Sequence, residues 1–333
     1  MRAPTAQRGL QVAETEVSEG MSQAEKSISD LLTPDEFDQF EAARANMTPY
    51  FSSGRGNRWS SKFSRDDFQK LVNQTSLWTP DRFEVIINTN KVPPQNYFTQ
   101  FPLHNGTRFK LEPKNVQNLL GQGASIVLNG IEGMTEGLSF IRDCITGYSG
   151  GKVESNLYYS QPSHQAFSVH FDMHEVFAFQ ISGLKRWRIY QQAHRFPINH
   201  LAFMSGDQDK HEKAKGAVSK DLVMEPGDFL YLPAGYYHQA ICVKGASIHL
   251  SFSIVEMIGL DVISEIFDAA VLEDFFRTPM ARMRDGGNRP MSAYLENICE
   301  NIAKLASDEK FAQRIEAKQR AFPYTTDKIS LKR

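Results

Sequence analysis

The spacing of apolar and polar positions changes character three times along the chain. Residues 1–28 carry small, charged and amide side chains with few large apolar ones, too little to offset the entropy of ordering, so a disordered tail is expected there. Order is expected from Leu31-Leu32, where Thr33 can cap a helix with Pro34 at its first position and Glu36 three residues on. A second short helix is expected after Ser64, with Asp66 and Asp67 in its first turn. From Phe83 the period drops to two: Phe83, Val85 and Ile87, and then the run 125–128, predict strands. Helical spacing returns at 114–121 and 133–147, the latter with Leu138, Ile141 and Ile145 on one stripe and Gly147 as its C-cap. Strands are then predicted at 153–160, 167–181, 185–191, 221–225, 228–232, 237–243 and 246–254, with turns at Ser182-Gly183, Pro226-Gly227 and Lys244-Gly245. Such a succession points to a closed or sandwiched antiparallel β architecture. A polar, lysine-rich insertion at 204–220 reads as a solvated loop or a mobile flap. Beyond Ile254, Ile258, Val262, Ile266 and Ala270 form one helical stripe, and Tyr294, Ile298, Ile302 and Leu305 another.

Charge and composition narrow the function more than the fold. Lys and Arg number 37 against 39 Asp and Glu, a formal net charge of -2, so no whole-chain positive field exists to hold nucleic acid. The chain is 41% hydrophobic without an apolar run long enough to cross a bilayer, so no membrane partner is expected. Three widely spaced cysteines, Cys144, Cys242 and Cys299, form neither a disulfide framework nor a zinc motif. With no signal-like apolar segment at the N-terminus, a reducing, cytoplasmic location is expected.

The chemistry concentrates in two stretches. In His170-Phe171-Asp172, alternation along an extended run turns the imidazole and the carboxylate to one side. In Gly227 to His238, a turn launches an apolar strand, Pro233 and Gly235 make a sharp bend, and His238 is brought back toward the first pair. Two histidines and one carboxylate on one face of a metal leave the opposite positions open, the arrangement of non-haem Fe(II) oxygenases. His174 shares a face with His170 and Asp172, but lies one further strand residue away, about 7 Å along the backbone, and is not taken as a ligand. His249, on the last strand, reads as a core histidine or as one that lines the barrel near the cosubstrate.

These residues resemble a known family. Gly227-x5-Pro233-x-Gly235-x2-His238 matches the second cupin motif at every spaced position. His170-x-Asp172, followed by Val176-Phe177-x2-Gln180 and Gly183-x-Lys185-x-Trp187-Arg188, is similar to the JmjC-type cupin oxygenases, and among them to the ribosomal oxygenase group of polypeptide hydroxylases. The likeness extends from Leu31 through 127–132 and 156–167 into the C-terminal helices. It implies a mainly β fold, a double-stranded β-helix (cupin/JmjC) core with flanking helices at 29–254, followed by a helical, dimer-forming module at 255–333. The winged helix that often follows this module in family members is not expected, since the two stripes take up most of the residues after Ile254.

The resemblance further implies an Fe(II)- and 2-oxoglutarate-dependent dioxygenase using O2. His170, Asp172 and His238 would hold the iron and Lys185 the distal carboxylate of 2-oxoglutarate, with Asn156 near the cosubstrate. Lys185 is expected on the strand after the His-x-Asp strand, across the Ser182-Gly183 turn, where a buried anion needs a fixed cation. The substrate would be a side chain in a polypeptide, such as a ribosomal protein. A hydroxylase of a free amino acid or small peptide, and a non-catalytic metal-binding cupin, are the rivals. Retention of Lys185 argues against the second, because a scaffold needs no cosubstrate cation.

Overall fold

Helix α1 (Pro34–Ala45) starts where its cap dictates: Thr33 Oγ1 accepts from the Glu36 amide, and the Glu36 carboxylate accepts from the Thr33 amide. Ser64 and Asp67 form the same reciprocal pair ahead of α2 (Arg65–Val72). The computed structural model describes residues 26–54, 56, 58–162, 166–203, 208–280 and 291–323. Most of the expected tail and the first part of the 204–220 insertion lie outside the described residues. Helices α3 (Pro113–Gly121) and α4 (Glu136–Ser149) follow the predicted spacing, and α4 buries Leu138, Ile141, Cys144 and Ile145. Its cap is Gly150, in the left-handed region at φ +65, rather than Gly147. Gly147 is small for another reason: a Cβ there would stand 2.1 Å from the Lys26 carbonyl oxygen.

The strands are β1 (Tyr50–Ser52), β2 (Phe83–Ile87), β3 (Asn90–Lys91), β4 (Phe98–Leu103), β5 (Gly106–Leu111), β6 (Ser125–Asn129), β7 (Lys152–Ser160), β8 (Glu175–Ala193), β9 (Val218–Met224), β10 (Phe229–Leu232) and β11 (Tyr236–Val255). All but the β4–β5 hairpin join one antiparallel sheet in the order β1-β10-β8-β11-β7-β6-β2-β3, with β9 also on β8. Each of the two longest strands replaces a pair of predicted ones. Gly183, at φ +70, bends β8 instead of ending it, and a Cβ there would meet the Ala246 oxygen at 2.2 Å, on the facing bend of β11. On one side of the bend, residues 175–182 of β8 pair with 248–254 of β11. On the other, 184–193 pair with 236–244. The halves fold over as the two faces of a double-stranded β-helix.

Alternation then sorts the side chains. Phe177, Phe179, Phe229, Tyr231, Leu250 and Phe252 pack outward beneath the helices, around the buried Phe40 and Trp59. Val176, Ala178, Trp187, Ile189, Leu230 and Leu232 face the barrel interior. Helix α5 (Gln208–Ala214) lies within the predicted insertion. After β11 come α6 (Gly259–Ala270), α7 (Asp274–Arg277), α8 (Met291–Ala306) and α9 (Glu309–Ala321). α6 is tied to α9 by Glu265, which Arg314 and Lys318 both bind. On α6 the predicted stripe turns partly inward, with Ala270 buried, while Leu260, Ile263 and Phe267 stay 53%, 59% and 67% exposed. Among the described residues no helix is long and apolar enough to cross a membrane.

Candidate metal centre

The backbone that carries His170 and Asp172 is not the strand that its alternation suggests. β8 begins only at Glu175, and His170 makes a single antiparallel bridge to His238. The His170 amide donates to the His238 carbonyl at 3.1 Å, the His238 amide donates back to the His170 carbonyl at 2.8 Å, and the Gly235 amide donates to the Asp172 carbonyl at 2.8 Å. Gly235 has to be glycine for this: its φ is +87, and a Cβ would fall 1.8 Å from the His194 carbonyl oxygen. Backbone bonds to the Gly227–His238 segment, rather than strand alternation, therefore set the pair. The result brings one ligand atom each of His170, Asp172 and His238 within 4.8 Å of one another. Nε2 of His238 lies 3.5 Å and Nε2 of His170 4.0 Å from the Asp172 carboxylate oxygens.

His238 and Asp172 are held in the forms a metal requires. Burial, with His170 beside it, pushes His238 down to about 4, so its ring is neutral at physiological pH. Burial alone would raise Asp172, but the imidazoles of His238, His170 and His174 outweigh it and hold the carboxyl below its ordinary range. His170 Nδ1 donates to the Ser168 carbonyl at 2.8 Å and His238 Nδ1 to that of Tyr236 at 2.9 Å, leaving both Nε2 lone pairs for a cation. Trp187 stacks on His238 at 5.7 Å and shields it.

A cavity of about 230 Å³ extends inward from the triad. Alternation on β7 sends Asn156, Tyr158 and Ser160 toward it, and β8 contributes Lys185 and Trp187. Lys185 is 3% exposed and donates to Ser160 Oγ at 2.7 Å, with no carboxylate partner among the described residues. Burial pulls it down to about 8. It stands on the same continuous strand as Glu175, not across a turn. Asn156 hydrogen-bonds Tyr158. His249 is buried in the cavity wall, the second of the two places the sequence allows, stacked on Tyr158 at 4.7 Å. Burial and the nearby Lys185 keep it neutral, and its Nδ1, like Trp187 Nε1, lacks a hydrogen-bond partner among the described residues. An uncompensated ammonium and orphaned polar nitrogens around a small cavity fit an anionic ligand that bears several oxygens. Sequence reading passed over Ser160, although its place four residues after Asn156 on one strand puts both on the same face.

A wider cleft of about 1440 Å³ opens on the other side and shares Asp172 and His174 with the cavity. Arg44, Met47, Phe196, Phe203, Met257 and Leu260 form its walls. The described part of the 204–220 insertion lines neither space. It packs behind the triad, with His211 on the Phe171 ring at 5.7 Å and 3.4 Å from the Tyr237 hydroxyl.

A family model of the JmjC domain matches residues 134–260. Ribosomal oxygenase 1 of Homo sapiens is 39% identical over 105 residues, covering 31% of this chain and 16% of that protein. The bifunctional lysine-specific demethylase and histidyl-hydroxylase NO66 of Drosophila simulans is 32% identical over 160 residues, 46% of this chain and 18% of its own. The matched stretch thus spans less than a fifth of either relative's length. In fold, the chain is similar to YcfD, a ribosomal oxygenase from Escherichia coli solved in complex with cobalt and 2-oxoglutarate. The TM-score is 0.57 at 14% identity, over 85% of this chain and 70% of that one.

Proposed function

We propose, from the match of residues 134–260 to a family model of the JmjC domain, that the chain is an Fe(II)- and 2-oxoglutarate-dependent oxygenase that hydroxylates a side chain within a polypeptide. The observation that carries this reading is the His170, Asp172 and His238 triad at the mouth of a cavity holding a buried, unpaired lysine. In this reading the three residues hold the iron. When bound there, iron and 2-oxoglutarate would together reduce O2 to an oxidant able to take hydrogen from an unactivated carbon. The chain's residues do the rest. Lys185 anchors the distal carboxylate, Ser160 fixes the lysine, Asn156 lies within reach of the same ligand, and Val176, Trp187 and Ala240 keep water out.

The cleft supports a polypeptide over a small metabolite. A space several times larger than the cosubstrate cavity, open to solvent and joined to it at Asp172 and His174, suits an extended chain better than a free amino acid. The likeness to ribosomal oxygenase 1 supports a ribosomal protein as that polypeptide. In the same reading residues 29–254 are the catalytic unit and 255–333 a module for homodimerisation, supported by the exposed Leu260, Ile263 and Phe267. Three unpaired cysteines agree with work in the cytoplasm.

The test is incubation of the full chain with Fe(II), 2-oxoglutarate, oxygen and total ribosomal protein, followed by peptide mass spectrometry. Succinate production with a one-oxygen mass gain, labelled by isotopic O2, on a defined residue is expected. Robust hydroxylation of free amino acids with none on polypeptide would move the substrate to the small-molecule class, and absence of succinate would remove the oxygenase reading.

A further inference from the structure

A third histidine shares the tautomer lock of the two in the triad. His174 Nδ1 lies 3.2 Å from the Glu175 carbonyl oxygen, as His170 and His238 lie against those of Ser168 and Tyr236. A carbonyl oxygen only accepts, so in each neutral ring the proton is on Nδ1 and the lone pair on Nε2. Two of these lone pairs converge beside the Asp172 carboxylate. His174 stands outside that set of ligand atoms. Its Nε2 has no hydrogen-bond partner among the described residues, and its half-buried ring lines both the cavity and the cleft where the two join. At this junction, which it shares with Asp172, the acceptor faces cleft walls that include Met173 and Met257.

We propose that His174 is a substrate-binding residue whose Nε2 accepts a hydrogen bond from an N–H group on or next to the target side chain, and that it thereby selects donor-bearing polypeptide segments. This rests on the oxygenase reading above and adds to it the hydrogen-bonding character of the substrate. A donor aligned at that point meets a fixed acceptor in partly apolar surroundings. An apolar target leaves the acceptor dry and unpaired, which costs about one hydrogen bond, on the order of tenfold in affinity.

The test uses the full chain loaded with Co(II) and 2-oxoglutarate. Fluorescence anisotropy follows labelled Gly-Ser-flanked peptides that differ only in a central asparagine, arginine, histidine, leucine or methionine. Donor-bearing peptides should bind the wild type on the order of tenfold tighter than the leucine and methionine ones. His174→Leu should erase that preference, and His174→Gln, whose amide oxygen still accepts, should restore most of it. Co(II) titration should give matching affinities for all three chains, which separates this role from that of a fourth ligand. An unaltered preference in His174→Leu would overturn the proposal, as would a tenfold loss of Co(II) affinity. If no peptide binds the wild type although Fe(II) and 2-oxoglutarate yield succinate, the polypeptide reading falls and this role with it. If succinate is absent too, the oxygenase reading itself falls.

Discussion

Lys185 is the residue on which the cosubstrate depends in this account, because the fold buries its ammonium and, among the described residues, offers the Ser160 hydroxyl and no carboxylate in return. Removing it would leave a carboxylate in the cavity without its charge partner. Lys185→Met is therefore expected to weaken 2-oxoglutarate binding by about 3–5 kcal/mol while metal affinity holds, as read by calorimetric titration. The pH dependence has a definite sign. Burial pulls the lysine from 10.5 down to about 8, so it is charged below that pH and neutral above it. Affinity for 2-oxoglutarate should be level below pH 8 and fall by ~tenfold per unit as pH rises through it. The stability of the fold without ligand should run the other way: the unfolded chain keeps the proton to higher pH, so stability rises between 8 and 10.5. At this scale the sequence was most informative where chemistry repeats a fixed spacing. His170, Asp172, Lys185 and His238 could all be read from motifs. Ser160 and the orphaned Nδ1 of His249 could not, because their roles arise only when β7, β8 and β11 are laid side by side.

At the scale of elements, the two bent strands hold the architecture together. Gly183 sits at positive φ with its Cα against the Ala246 backbone, so Gly183→Ala is expected to cost ~1–3 kcal/mol, seen as a lower midpoint in chemical denaturation with an unchanged slope. Sequence reading took this glycine and Gly245 for turns, since a glycine at positive φ is the same signal for a tight turn and for a bulge within one strand. Only the pairing partners distinguish the two. The region 167–174 fails in the opposite sense: its apolar alternation reads as strand, yet among the described residues its backbone-to-backbone bonds go to His238 and Gly235 without a ladder, and it stays irregular. The β4–β5 hairpin went unpredicted although Asn105-Gly106 sits at its turn, because the flanking residues are mostly exposed and show no apolar face. The N-caps transferred best. Thr33 with Glu36 and Ser64 with Asp67 are local, so nothing distant could override them.

For the molecule as a whole, the exposed line Leu260, Ile263 and Phe267 on α6 is more apolar surface than a solvated helix needs. Light scattering at micromolar concentration should give the mass of two chains, and the double variant Ile263→Glu/Phe267→Glu the mass of one, with its circular dichroism unchanged. A single-chain mass for the wild type would remove the dimer. The stripe legible in the sequence, 258 to 270, differs from this line because α6 is apolar around much of its girth, and periodicity alone does not say which side meets α8 and α9. The central claim is that His170, Asp172 and His238 bind a metal on which 2-oxoglutarate binding depends. Anaerobic titration of the metal-free full chain with Fe(II), with and without 2-oxoglutarate, tests it most directly. The account predicts one iron per chain, 2-oxoglutarate affinity that appears only with metal, and an Asp172→Ala variant whose iron affinity falls by at least ~100-fold, beyond what loss of an outer partner costs. Iron bound by Asp172→Ala as tightly as by the wild type, or 2-oxoglutarate bound equally well without metal, would contradict it.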